Sequence, residues 1–96
     1  MSPKNRKKLY VLRNKLDRLD DSLIKLIKKR TNIIKNVLEL KTSKREIIDK
    51  KRISAILRSI KKKSIKHKID IKLTKEIWKR MIFAYIDFEK RNFKKK

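Results

Sequence analysis

The side chains of this sequence best suited to chemistry are cations that stand where a helical pattern calls for apolar residues. Arg30 falls within a run of regularly spaced leucines, and Lys41 follows it at a spacing that places both on one helix face, together with Ile34 and Val37. Cations on a partly buried face need anionic partners, because an unpaired buried charge is costly. The pattern therefore predicts a cationic pocket, or else two long side chains whose charged ends extend to water.

Two carboxylates have spacings that are also open to two interpretations. Asp49 and Arg52 are neighbours on one helix face, where an exposed ion pair would contribute little stability. Glu89 shares a helix face with Trp78 and Tyr85. It is either a surface residue near a helix end or a desolvated acid that holds its proton. The spacing does not decide between these interpretations.

The composition excludes several kinds of chemistry. The chain has no Cys and a single His, so we expect no disulfide framework and no metal site built on thiolates or histidines. No apolar run approaches the ~18 residues that span a bilayer. The basic start leads into an amphipathic pattern and lacks the apolar stretch of a signal peptide. We therefore expect a cytoplasmic protein that does not bind membranes.

Three helices are predicted to position these groups, because a chain with no Gly and one Pro is a poor candidate for turn-rich β structure. The predicted helices run from about residue 5 to 41, from 46 to 62, and from the cap Asp70 to about 93. A polar break at 42–45 and a basic link at 63–69 separate them. We predict a single all-α domain over 5–93, with basic tails at 1–4 and 94–96.

The first predicted helix carries an apolar seam whose steps alternate between three and four residues, as in a coiled coil. Its members are Leu9, Leu12, Leu16, Leu19, Leu23, Leu26, Ile33 and Val37. Such a helix is about 50 Å long, and the rest of so short a chain cannot cover all of it. We therefore predict an intertwined homodimer in which a second copy covers the seam.

The net charge of +23 has two explanations. One is a basic helical protein that binds nucleic acid. The other is a compositional bias of AT-rich genomes, in which Lys, Ile and Asn increase together. Lysines are spread through every segment rather than gathered in one stripe, which favours the second explanation. Nucleic acid is therefore not an expected partner, although nucleic-acid binding stays an alternative function.

Four short motifs, taken in order, resemble the all-helical chorismate mutase family. Residues 12–20, LRNKLDRLD, look like the family's opening L-R-x-x-I-D-x-I-D, and residues 23–30, LIKLIKKR, look like L-I-x-L-L-x-x-R. Lys41 follows Arg30 at the family's spacing of eleven residues, and residues 49–52, DKKR, match D-x-x-R. The order and spacing of these motifs make the resemblance specific over roughly residues 9 to 90.

The resemblance implies a homodimer with two equivalent sites, in which Arg13 reaches the partner's pocket. It also implies the rearrangement of chorismate to prephenate in aromatic amino-acid biosynthesis, without covalent intermediate, metal or redox cofactor. Helix geometry favours the dimer independently. Arg13 and Arg30 lie about 25 Å apart along one helix, so a molecule the size of chorismate cannot touch both in one chain.

The resemblance assigns a role to each matching residue. Arg30 and the partner's Arg13 clamp the two substrate carboxylates. Lys41 donates to the ether oxygen and to a carboxylate. Arg52 supports the site, and Asp49 helps to hold the ring hydroxyl.

Three positions depart from the family's pattern. Ile53 stands where the family often has a Glu that holds the substrate hydroxyl. Glu89 stands where Gln is common as a donor to the ether oxygen, and since Glu donates only when protonated, we expect turnover to rise toward acidic pH. Tyr85 replaces a small polar residue.

Tyr85 and the Arg52-Ile53 pair look more like the related isochorismate-pyruvate lyases, which release pyruvate from isochorismate to leave salicylate. Those lyases typically carry Gln at the Glu89 position, and Asp49 fits the mutase pattern better. We therefore predict a mutase first and a lyase second. A pseudoenzyme on the same fold is a further alternative.

Overall fold

A computed structural model describes residues 1–94, and these residues form helices and no strands. The helices are α1 (Pro3–Leu40), a short 3-10 helix (Lys44–Ile47), α2 (Lys50–Lys66) and α3 (Ile71–Asn92). This confirms the predicted all-α class with one long and two shorter helices. Lys95 and Lys96 of the predicted basic tail lie outside the described residues. The chain divides into two compact units, Met1–Asn36 and Val37–Lys96.

The first unit consists of the greater part of α1. The helix begins at Pro3, and the N–H that proline lacks would have no partner within the helix at this first position. The Ser2 hydroxyl caps the helix by accepting the N–H of Asn5 at 3.2 Å. Five leucines of the predicted seam are each 54–60% exposed: Leu12, Leu16, Leu19, Leu23 and Leu26. A continuous apolar stripe of this kind typically marks an interaction surface.

The second unit packs α2 against α3, and the 3-10 helix also contacts α3. The buried apolar residues of its core are Leu38, Ile47, Ile60 and Ile82. The hydroxyl groups of Ser64 and Thr74 are buried with them. Ser64 Oγ and Thr74 Oγ1 lie 2.6 Å apart, and Ser64 Oγ also donates to the Ile60 carbonyl at 2.6 Å. Since both hydroxyls are hydrogen-bonded, their burial in the α2–α3 contact is satisfied.

Both predicted ends of the second helix were wrong. The helix begins at Lys50 rather than residue 46, because the Asp49 carboxylate accepts the N–H of Arg52 at 3.0 Å and so caps it. Residues 46 and 47 belong to the 3-10 helix instead. At the other end, the helix continues through most of the predicted basic link to Lys66, since lysine is a good helix former.

A hydrogen-bonded turn ends α2. The N–H groups of Lys68 and Ile69 donate to the carbonyls of Ile65 and Ser64 at 3.2 and 2.9 Å, the pattern of a Schellman motif. Lys68 has a φ of 55°, in the left-handed region that glycine usually occupies at this position. The turn therefore contains a residue that is conformationally unfavourable there.

The start of α3 confirms the predicted cap. The Asp70 carboxylate accepts the N–H of Leu73 at 3.0 Å, and the helix then continues to Asn92. Among residues 1–94, no helix is both long enough and apolar enough to cross a membrane.

Candidate active site

Lys41 and Glu89 form an ion pair within the second unit. Lys41 is the first residue after α1, and its N–H donates to the Leu38 carbonyl at 3.1 Å. Glu89 lies in the last turn of α3, on the face that also carries the buried Ile82. The Lys41 Nζ lies 3.3 Å from Glu89 Oε1, so two distant segments of the sequence meet at this point.

Burial excludes one interpretation of each of these two residues. The Lys41 and Glu89 side chains are 16% and 9% exposed. Lys41 therefore does not extend its charge into water, and Glu89 is not a surface residue. In such a site each charge depends on the other, because removing one partner leaves the other poorly solvated.

Asp49 lies beside Lys41 in an open hollow of about 540 Å³ on the second unit. The residues that line it are Lys41, Glu46, Ile48, Asp49, Lys50 and Lys51. Asp49 does not form the ion pair with Arg52 that the spacing allows, because its carboxylate accepts the Arg52 backbone N–H. The Asp of the D-x-x-R motif thus has a local structural reason, which is helix capping.

The other predicted site residues of this unit lie on α2 and α3. Arg52 is exposed, and the next residue, Ile53, is half-buried. Tyr85 is also half-buried, one helical turn before Glu89. Its ring packs edge-on against Phe88, with the ring centres 6.3 Å apart and the planes at 90°.

Arg13 and Arg30 belong to the first unit. Arg13 is exposed, whereas Arg30 is half-buried. Because α1 is continuous through both positions, they stand about 25 Å apart in one chain, as the sequence predicted. The structure thus pairs Lys41 with Glu89, places Asp49 in the same hollow as Lys41, and keeps the two arginines of one chain apart.

One polar contact beside Lys41 was missed from the sequence. The Glu46 Oε1 accepts both the N–H and the hydroxyl of Thr42, at 3.3 and 2.6 Å. The signal was present, because Ser43 and Glu46 have the S-x-x-E spacing of a capping box. The carboxylate reaches back as in that motif, but it binds Thr42, and Ser43 makes no side-chain capping bond.

Comparison with known proteins agrees with the resemblance of the motifs. A family model described as chorismate mutase type II matches residues 12–90, which is most of the chain. No curated protein and no solved structure matches the sequence. The matched range runs from the start of the first motif to the residue after Glu89. The chain therefore belongs to the type II chorismate mutase family.

Proposed function

We propose that this protein is a chorismate mutase that acts as a homodimer and converts chorismate to prephenate. The observation that carries the proposal is the Lys41–Glu89 pair, with 3.3 Å between ammonium and carboxylate and with both side chains largely buried. The family resemblance assigns donors to the substrate's ether oxygen at these two positions. The fold brings them together from the end of α1 and the last turn of α3.

The chain contains every type of group that the proposed reaction needs. One carbon–oxygen bond breaks and one carbon–carbon bond forms within a single molecule, so no atom is gained or lost. Catalysis then consists of holding a compact conformer and stabilising the negative charge that develops on the ether oxygen. Lys41 donates a hydrogen bond to that oxygen, and Glu89 donates a second only when its carboxyl group has taken up a proton and released Lys41.

The remaining cations would bind the two carboxylates of the substrate. Arg30 and the partner's Arg13 hold them by bidentate hydrogen bonds, and Arg52 supports the site. Asp49, in the same hollow as Lys41, accepts from the ring hydroxyl. The net charge of +23 adds a long-range field that attracts a dianion.

The exposed seam of α1 supports the homodimer. Leu12, Leu19 and Leu26 are each more than half exposed, although leucines at this spacing form the interface of helical pairs. A second copy would cover the stripe with its own equivalent stripe, as twofold symmetry requires. The same association would supply Arg13 to the other chain.

A second candidate function is isochorismate-pyruvate lyase on the same fold. The observation that favours it is the apolar and aromatic character of two half-buried residues, Ile53 and Tyr85. Neither offers the carboxylate that would hold the hydroxyl of chorismate. The lyase would use the same cations, since its substrate is also a dicarboxylate.

One assay with two substrates tests both functions. Purified protein is offered chorismate and, separately, isochorismate, while prephenate, salicylate and pyruvate are measured. Prephenate alone supports the mutase, salicylate with pyruvate supports the lyase, and no product from either substrate rejects both. Lys41→Met should lower kcat/KM by about 100-fold. Lys44→Met, a change of an exposed lysine three residues away, should leave kcat/KM unchanged.

A further inference from the structure

The position of Lys41 depends on a segment that is not part of a regular helix. The last residue of α1 is Leu40, so Lys41 and Thr42 lie beyond the helix. The Lys41 backbone is tied to α1 by its N–H bond to the Leu38 carbonyl at 3.1 Å, and what holds the residues that follow it also affects where the Lys41 ammonium lies. The two hydrogen bonds from Thr42 to Glu46 have this effect, because they fix the residue next to Lys41 through both its backbone and its side chain.

Glu46 lies on a segment that packs against the helix that carries Glu89. It belongs to the 3-10 helix, which contacts α3, and the neighbouring Ile47 is only 4% exposed. A continuous set of contacts thus runs from Lys41 through Thr42 and Glu46 to α3, and the Lys41–Glu89 pair closes it. We propose that Glu46 is a positioning residue that acts through Thr42 to hold the Lys41 ammonium where the proposed reaction needs it.

The charge of Glu46 has a second consequence. Its carboxylate lines the hollow that also holds Lys41 and Asp49, and the proposed substrate is a dianion. A glutamine amide also supplies an acceptor oxygen for the two Thr42 donors, although a charged acceptor forms the stronger hydrogen bonds. The negative charge of Glu46 opposes the binding of a dianion, so a neutral acceptor at this position should favour substrate binding. This inference rests on the proposed mutase function, but its structural half can be tested without catalysis.

Two substitutions at this position separate the two effects. Glu46→Ala removes the acceptor, so kcat for chorismate should fall by at least tenfold, since small displacements of a catalytic group are costly. Glu46→Gln keeps the acceptor, so kcat should stay within about twofold of the wild type while KM falls. The matched control is Glu76→Ala on α3, which loses only an exposed ion pair with Arg80 and should change neither constant.

A chemical readout tests the positioning directly. The rate at which acetic anhydride acetylates Lys41, followed by mass spectrometry, should be low in the wild type and in Glu46→Gln. In Glu46→Ala the rate should rise several-fold, because the ammonium leaves its shielded place beside Glu89. A wild-type protein that makes no prephenate would reject the function, and the acetylation rates would still decide whether Glu46 positions Lys41.

Two results would overturn the inference. One is a folded Glu46→Ala protein with wild-type kcat and a wild-type acetylation rate. The other is a Glu46→Gln protein that loses as much kcat as Glu46→Ala. If Glu46→Ala fails to fold, Thr42→Val decides the question, because it deletes one donor at an exposed residue. That variant should lose several-fold in kcat, and wild-type kcat would reject the proposal.

Discussion

Lys41 and Glu89 form an ion pair at 3.3 Å, although 48 positions separate them in the sequence. Each of these largely buried charges thus has a partner of opposite sign. A dicarboxylate ligand must therefore compete with Glu89 for the Lys41 ammonium. The pair thus links the stability of the second unit to the chemistry proposed for it.

A double-mutant cycle should measure this coupling as a difference in the free energy of unfolding. Lys41→Met and Glu89→Leu each leave one nearly buried charge without its partner, so each should lower the free energy of unfolding by up to about 3 kcal/mol. The double variant leaves neither charge and should lose less than the sum of the two. Urea denaturation of the four proteins measures the difference.

The control cycle uses an ion pair of the same length on the surface of α3. Arg80 and Glu76 also lie 3.3 Å apart, but their side chains are 83% and 56% exposed. Their coupling should stay below about 0.5 kcal/mol. Equal coupling in the two cycles, or strict additivity at Lys41 and Glu89, would contradict the role assigned to burial.

Glu89→Gln should change how turnover depends on pH. A carboxyl group donates a hydrogen bond to the ether oxygen only when protonated, so the kcat of the wild type should rise as the pH falls. The Gln amide donates at every pH, so the variant's optimum should shift toward neutral. Steady-state kinetics across the acidic and neutral range measure both profiles. Flat profiles for the two proteins would exclude Glu89 as the proton-dependent donor.

The sequence predicted those features that depend on local interactions. The Asp70 cap and the apolar seam of α1 follow from residue type and spacing alone, and both are observed. The start of α2 was misplaced because a single capping residue, Asp49, outweighs an amphipathic pattern that continues on both sides of it. Burial of Glu89 could not be decided, because it depends on residues 48 positions away.

Lys68→Gly should stabilise the protein. Lys68 has a φ of 55°, which costs a non-glycine residue about 1 kcal/mol. Its backbone N–H donates to the Ile65 carbonyl in the turn that ends α2, and a glycine at this position would keep that bond. Replacement by glycine should therefore raise the free energy of unfolding by roughly 0.5–1 kcal/mol. The matched control, Lys62→Gly within α2, should lower it by about 1 kcal/mol. A destabilised Lys68→Gly protein would mean that the lysine side chain stabilises the turn.

Charges placed in the seam of α1 should dissociate the proposed dimer. Leu19 and Leu23 are 60% and 54% exposed, and replacing both with Glu would place four carboxylates in the twofold interface. Sedimentation should then report half the mass of the wild type. Ile24 is 64% exposed but lies off the seam, so Ile24→Glu should leave the mass unchanged. A monomeric wild type would reject the dimer altogether.

Mixing two inactive variants should restore activity if Arg13 acts across the dimer interface. Arg13→Ala and Lys41→Met would each inactivate both sites of their own dimers. After exchange of subunits in equal amounts, half of the dimers are mixed, and each mixed dimer has one complete site of two, so about a quarter of the wild-type activity should return.

The control for this experiment mixes Lys41→Met with Glu89→Ala. These two residues pair at 3.3 Å within one chain, so each site of a mixed dimer lacks one of them and no activity should return. If activity returns in the first mixture but not in the second, the active site must combine Arg13 of one chain with Lys41 of the other. Failure of both mixtures, once subunit exchange is verified by mass, would leave Arg13 outside the partner's site.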